Sequence, residues 1–150
     1  MKGMIFAAGL GSRLKPWTDH HPKALAAVNG KTLLQRNVEY LQKHGVTELI
    51  VNVHHFASQI VEAIEKNKGW GSAITISDET AEVLETGGGL KKAAWYFDGA
   101  ENFVVMNADI LTDMDLGSMI AQHKQKKSLA TLAVSSRDTS RYFLLMKTIG

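Results

Sequence analysis

Short apolar runs alternate with amphipathic stretches along the whole 150-residue chain, the pattern of a parallel sheet covered by helices. Residues 3–8, 48–54, 73–77, 102–107 and 129–135 read as strands. Several are apolar almost without interruption, so both of their faces are expected to be buried. Between the first two, Thr32 can cap a helix in which Leu33, Leu34, Val38 and Leu41 share one face, ending near Gly45. Further helices are expected over 58–66, 88–96 and 116–126, and Lys91, Lys92, Lys124, Lys126 and Lys127 read as their solvated faces. Asn29-Gly30 is the dipeptide of a tight hairpin turn between residues 24–28 and the first helix. The fold class is therefore α/β, with a doubly wound, mostly parallel sheet in one domain over residues 1–150.

In such a sheet ligands bind beyond the carboxyl ends of the strands. Three of those ends are unusual. The first strand runs into Ala7-Ala8-Gly9-Leu10-Gly11-Ser12-Arg13, the third is followed by Glu85-Thr86-Gly87-Gly88-Gly89, and the fourth closes on Asn107-Ala108-Asp109.

Composition narrows the partners. The 17 basic and 15 acidic residues, for a formal net charge of +2, are spread along the chain, so no basic stripe points to nucleic acid. A small polyanionic ligand is the easier partner to defend. Absence of cysteine excludes disulfides, thiolate zinc sites and a cysteine nucleophile. The apolar run at the N-terminus is too short for a signal peptide, and no apolar segment is long enough to span a bilayer, so a soluble, cytoplasmic protein is expected.

Gly9 and Gly11 let backbone N–H groups turn toward an anion, while Arg13 and Lys23 supply positive charge to phosphate oxygens. A dinucleotide fingerprint would need a third glycine where Arg13 stands, with Pro16 close behind. Gly30-Lys31-Thr32 spells the end of a P-loop, yet the required earlier glycine falls on Leu25. Glycines 87 to 89 precede Leu90, Ala93, Ala94 and Tyr96, so that segment reads as a helix entrance where a flat base can approach the backbone and Glu85 or Thr86 can offer hydrogen bonds. A plain capped helix start is the other reading. Asp109 puts a hard oxygen ligand at the ligand edge of the sheet, suited to Mg2+. Asp113 and Asp115 read as capping residues before the last helix, His54-His55 as fold-supporting or surface residues, and Trp17, Trp70 and Trp95 as packing groups.

The run Gly-x-Gly-x-Arg-Leu-x-Pro-x-Thr from Gly9 to Thr18, followed by Pro22-Lys23, resembles the signature of the sugar nucleotidyltransferases, the nucleoside diphosphate sugar pyrophosphorylases. That resemblance implies a Rossmann-like nucleotidyltransferase fold and a reaction between a nucleoside triphosphate and a sugar 1-phosphate that releases pyrophosphate. It implies nucleotide contacts at Ala7, Ala8, Gly9, Gly11, Ser12, Arg13, Lys23, Glu85, Thr86, Gly87 and Gly88, and catalytic roles for Arg13, Lys23 and Asp109, with Mg2+ held by Asp109. The wording of Glu85–Gly88 and of residues 136–142 is similar to the subgroup using UTP and N-acetylmuramate 1-phosphate, with mannose-1-phosphate guanylyltransferases and a phosphocholine cytidylyl variant nearby. Family members are expected to continue past Gly150, with a second metal aspartate and much of the sugar pocket there. A catalytically incomplete binding module is thus the alternative, and an exposed sheet edge would favour self-association.

Overall fold

A computed structural model describes residues 1–82 and 84–134 of the chain. In chain order its elements are β1 (Lys2–Phe6), β2 (Ala27–Val28), β3 (Lys31–Thr32), α1 (Leu33–Lys43), β4 (Glu48–Val53), α2 (Ala57–Lys66), β5 (Ala73–Asp78), α3 (Glu85–Lys92), β6 (Phe103–Asn107) and α4 (Leu116–Lys126). Met1–Met114 form one compact unit, and a second begins at Asp115.

The first unit is built on a four-stranded parallel sheet in the order β5-β4-β1-β6. Phe6 pairs with Asn52 on one side and Asn107 on the other, and Asn52 pairs with Ser77, so the carboxyl ends of all four strands finish in one row. Every residue from Leu49 to Val53 is buried, which requires cover on both faces, as the unbroken apolar run of this strand predicts. On one face Met4 and Ile50 join Ala93 and Phe97, with Phe6, Leu90 and Tyr96 packed around them. Ile5, Leu49, Val51 and Val53, which alternate with that set, are just as deeply buried.

The hairpin and first helix form as the sequence predicts. Asn29 (φ 48°) and Gly30 (φ 76°) both take positive φ between the paired Val28 and Lys31, the geometry of a type I′ turn. Thr32 then caps α1, its hydroxyl oxygen accepting from the Gln35 amide at 3.1 Å. Leu33, Leu34, Val38 and Leu41 form the buried stripe, and Gly45 follows the helix at φ 77°. Lys31 donates to Glu39 at 2.7 Å and holds that carboxyl below its usual range. Thr32→Ala is expected to cost about 1 kcal/mol, the worth of one N-cap, read as a lower urea midpoint with an unchanged slope.

Two expectations are corrected. The third helix starts at Glu85 rather than 88 and ends at Lys92, and a 3-10 turn over Ala94–Phe97 completes the segment. The glycines are therefore inside the helix, because its approach to the strand ends leaves no room for a side chain at Gly89. No strand forms over 129–134, where Leu129, Leu132 and Val134 lie exposed. An apolar run becomes a strand only when a partner supplies its ladder, and among the described residues none does. Residue 135 of that expected strand, the stretch 136–142 and everything to Gly150 lie outside the described residues.

β6 is consequently an edge strand among the described residues, with Phe103 and Val105 exposed. In the second unit α4 covers the predicted span, and Asp115 is its cap, accepting from the Ser118 amide at 3.1 Å. Asp113 is not a cap. Among the described residues no helix is long and apolar enough to cross a membrane.

Candidate functional site

β1 delivers the chain to the row of strand ends. Ala7, the first residue past β1, is buried and its amide donates to the Asn52 side-chain oxygen at 2.7 Å. The loop beyond then turns outward. Among the described residues, none accepts from the amides of Ala8, Gly9, Leu10 or Gly11, so this stretch offers a fan of free N–H donors. A Cβ at Gly9 would meet nothing within 4 Å, leaving that side of the loop open to a ligand. Gly11 differs: its φ is 64°, and a Cβ would come within 2.8 Å of the Lys23 Cβ and 3.0 Å of Thr18. Only glycine fits there, and buried Thr18 ties the turn down by donating to the Gly11 carbonyl at 3.0 Å. Ser12 and Arg13 follow in an exposed 3-10 turn, and the Arg13 guanidinium has no partner among the described residues.

The same packing that demands Gly11 brings in Lys23, at the start of the 3-10 turn Lys23–Leu25. Its ammonium forms an ion pair with Asp109, which is 86 residues further along the chain. Asp109 is held there by its neighbour: the Ala108 amide donates to the Phe6 carbonyl at 2.9 Å, and the buried Asn37 side chain donates to the Ala108 carbonyl at 2.6 Å. Neither Lys23 nor Asp109 is fully sunk, with side chains 22% and 34% exposed. The carboxylate therefore stays accessible from outside. Asn37→Ala is expected to leave the Ala108 carbonyl unpaired, costing roughly 1–3 kcal/mol; thermal unfolding beside a Thr32→Ala control measures it.

Glu85, Thr86 and Gly87 form the exposed first turn of α3, and Gly88 is half-buried. Among the described residues no hydrogen bond or ion pair joins them to Lys23 or to the first loop. Their link is Gly89, where a Cβ would come within 2.8 Å of the Glu79 carboxyl oxygen and 3.0 Å of the Asn52 side-chain nitrogen. Asn52 donates to Glu79 at 2.9 Å, and both are almost completely buried. At the end of β5, hydrogen bonds from the Thr80 side chain and amide hold Asp78 below the usual carboxylate range, while Lys92 donates to the Asp78 carbonyl.

Asn37, Asn52 and Glu79 are the residues that sequence reasoning missed. A signal existed, since Asn52 interrupts an apolar strand and Asn37 sits on the apolar side of α1. His54 supports the fold as expected, its ring Nδ1 lying 2.7 Å from the Glu79 carbonyl, and His55 packs on Phe56. Of the tryptophans, Trp70 is half-buried, whereas Trp17 and Trp95 are 39% and 58% exposed, Trp17 stacked on His21 and Trp95 edge-on to Tyr96. Among the described residues no three His, Cys, Asp or Glu converge on one point. The Asp109 carboxylate nevertheless fits Mg2+, which is commonly bound through one or two carboxylates together with substrate phosphates and water.

Residues 2–148 match the family described as nucleotidyl transferase. The chain is 41% identical over 115 residues to an N-acetylmuramate alpha-1-phosphate uridylyltransferase of Neisseria meningitidis serogroup B, a match covering 77% of this chain and 49% of that protein. A mannose-1-phosphate guanyltransferase of Yarrowia lipolytica is 31% identical over 100% of this chain and 42% of its own length. The structure of HddC from Yersinia pseudotuberculosis complexed with GMP-PN aligns with a TM-score of 0.73 at 33% identity, over 81% of this chain and 53% of that one. The chain thus spans about half the length of the curated relatives it matches.

Proposed function

The chain belongs to the nucleotidyl transferase family, and from that premise we propose that it forms the nucleoside-triphosphate half of a sugar-1-phosphate nucleotidyltransferase, with UTP and N-acetylmuramate 1-phosphate as first substrates. The observation that carries this reading is the Lys23–Asp109 ion pair at the joint end of β1 and β6, set beside a loop of free amides. A cation and a carboxylate side by side can receive the two components of a metal-bound triphosphate at once.

In this reading the amides from Ala8 to Gly11, with Ser12, cradle the phosphates, and unpaired Arg13 reaches the leaving pair. Lys23 lies near the reacting phosphate, and the exposed turn Glu85–Gly88 borders the base. A sugar phosphate oxygen attacks the α-phosphorus in line; the bond from that phosphorus to the bridging oxygen breaks, and pyrophosphate departs. The protein's work is alignment and charge neutralisation. Mg2+ held by Asp109 would supply further charge neutralisation at the phosphates.

The choice of UTP follows the uridylyltransferase relative at 41% identity; the guanyltransferase relative makes GTP with mannose 1-phosphate an alternative. Pyrophosphate release by the purified chain with Mg2+ and a panel of nucleotides and sugar phosphates tests the reading. Release with UTP and N-acetylmuramate 1-phosphate supports it. Nucleotide binding without release from any pair supports instead a binding module, the reading favoured by the absence of a group of three metal-ligating side chains among the described residues. The exposed β6 edge supports self-association of the chain, and light scattering that gives the monomer mass of 16.4 kDa across concentrations would overturn that part.

A further inference from the structure

We propose that Asn52 and Glu79 are positioning residues that set the spacing between the phosphate loop and the glycine-rich turn, so that occupation of one alters affinity at the other; this rests on the nucleotide reading above. One amide group carries the link. Its oxygen accepts from the Ala7 amide at 2.7 Å, at the root of the phosphate loop. Its nitrogen donates at 2.9 Å to Glu79, whose carboxyl lies against Gly89 of α3. Both side chains are buried, 2% and 1% exposed, so neither bond has water to replace it when it shifts.

The surroundings hold each end of this relay. Asn52 sits in β4, hydrogen-bonded between β1 and β5, and cannot drift. The Glu79 backbone is fixed on both sides, its amide donating to the Val53 carbonyl at 2.8 Å and its carbonyl 2.7 Å from the His54 ring nitrogen. Only the side chain is left to answer to α3. At Gly89 any side chain would collide with the relay, so the helix can rest directly on it. A displacement of the Ala7 amide by bound phosphates therefore reaches α3 through two hydrogen bonds and one packed glycine. The reverse path is equivalent, since coupling between two sites is reciprocal.

Neither residue would touch the nucleotide, which separates this role from that of Lys23 or Thr86. A purely structural role would alter all ligands alike. A spacing role distinguishes a ligand that fills both sites from one that fills the phosphate site alone, and inorganic tripolyphosphate is such a ligand.

The test is calorimetric binding of UTP and of tripolyphosphate, both with Mg2+, to the full chain and its Glu79→Met and Glu79→Gln variants. Methionine removes the acceptor for Asn52 while leaving the Ala7 bond in place; glutamine keeps an acceptor oxygen. Glu79→Met is expected to weaken UTP about tenfold and tripolyphosphate less than about threefold, with Glu79→Gln restoring UTP to within about threefold of the parent chain. Equal losses for the two ligands, or no loss, overturn the proposal while leaving the nucleotide reading intact. Failure of the parent chain to bind either ligand overturns both, and is told apart because it needs no variant. Should Glu79→Met not fold, amide hydrogen exchange on the parent chain decides: tripolyphosphate slows exchange across α3 if the relay couples the sites, and protection confined to residues 7–13 overturns it.

Discussion

If the proposed reaction holds, Asp109→Ala is expected to lower pyrophosphate release by about 10²- to 10³-fold, the loss that follows removal of one preorganised electrostatic group from a reacting site. The carboxylate stands at the joint end of β1 and β6, and it is set there by Asn37 through Ala108 and by Lys23 directly. Truncation deletes the proposed metal ligand and leaves the Lys23 ammonium without its partner, so the metal and the phosphates lose their shared anchor together. Asp109→Asn keeps the shape but not the charge and is expected to fall almost as far, which separates charge from packing. Raising Mg2+ should recover part of the loss in the asparagine variant and little in the alanine variant. The checks are turnover as a function of Mg2+ and a thermal midpoint that stays near that of the parent chain. Unchanged turnover in both variants would remove Asp109 from the chemistry.

Ile50→Ala is expected to cost about 2–5 kcal/mol, the range for deleting a large aliphatic side chain in a closed core. Ile50 is fully buried in β4 and shares its cluster with Met4, Ala93 and Phe97. Strands flank it on both sides and the α3 segment covers it, so little can move in to fill the space. Ile50→Val, which removes one methylene, should cost about 1 kcal/mol, and the contrast between the two is the signature of a cavity rather than of lost strand propensity. Urea titration with a common slope measures both. A difference of a few tenths of a kcal/mol between them would mean that the core collapses around the site.

Local features were legible wherever the physics is local. Asn29-Gly30 determines a type I′ turn because both residues tolerate positive φ, and Thr32 determines a helix start because its hydroxyl reaches an amide three residues on. Gly11 was legible as a turn, although the tertiary contact with Lys23 gives it a second reason that spacing alone does not show. The expected strand is missing over 129–134 for the opposite cause: its apolar residues satisfy local preferences, yet a strand also needs a neighbour to bond, and none is found among the described residues. The start of α3 was misplaced by three residues because glycine runs carry little helix preference, and contact at Gly89 overrides that preference.

The order of apolar and amphipathic segments by itself determined an α/β chain with a parallel sheet, a glycine loop after its first strand and an aspartate after the strand at 102–107, since periodicity and turn chemistry are properties of neighbouring residues. Only the tertiary structure decided that Lys23 meets Asp109 and that Asn52 joins the phosphate loop to Glu79 and α3. Those pairs are separated by 86, 45 and 27 residues. Contacts at such distances exist because the parallel register brings the ends of four strands into one row, and nothing in the residues between them states that they will meet.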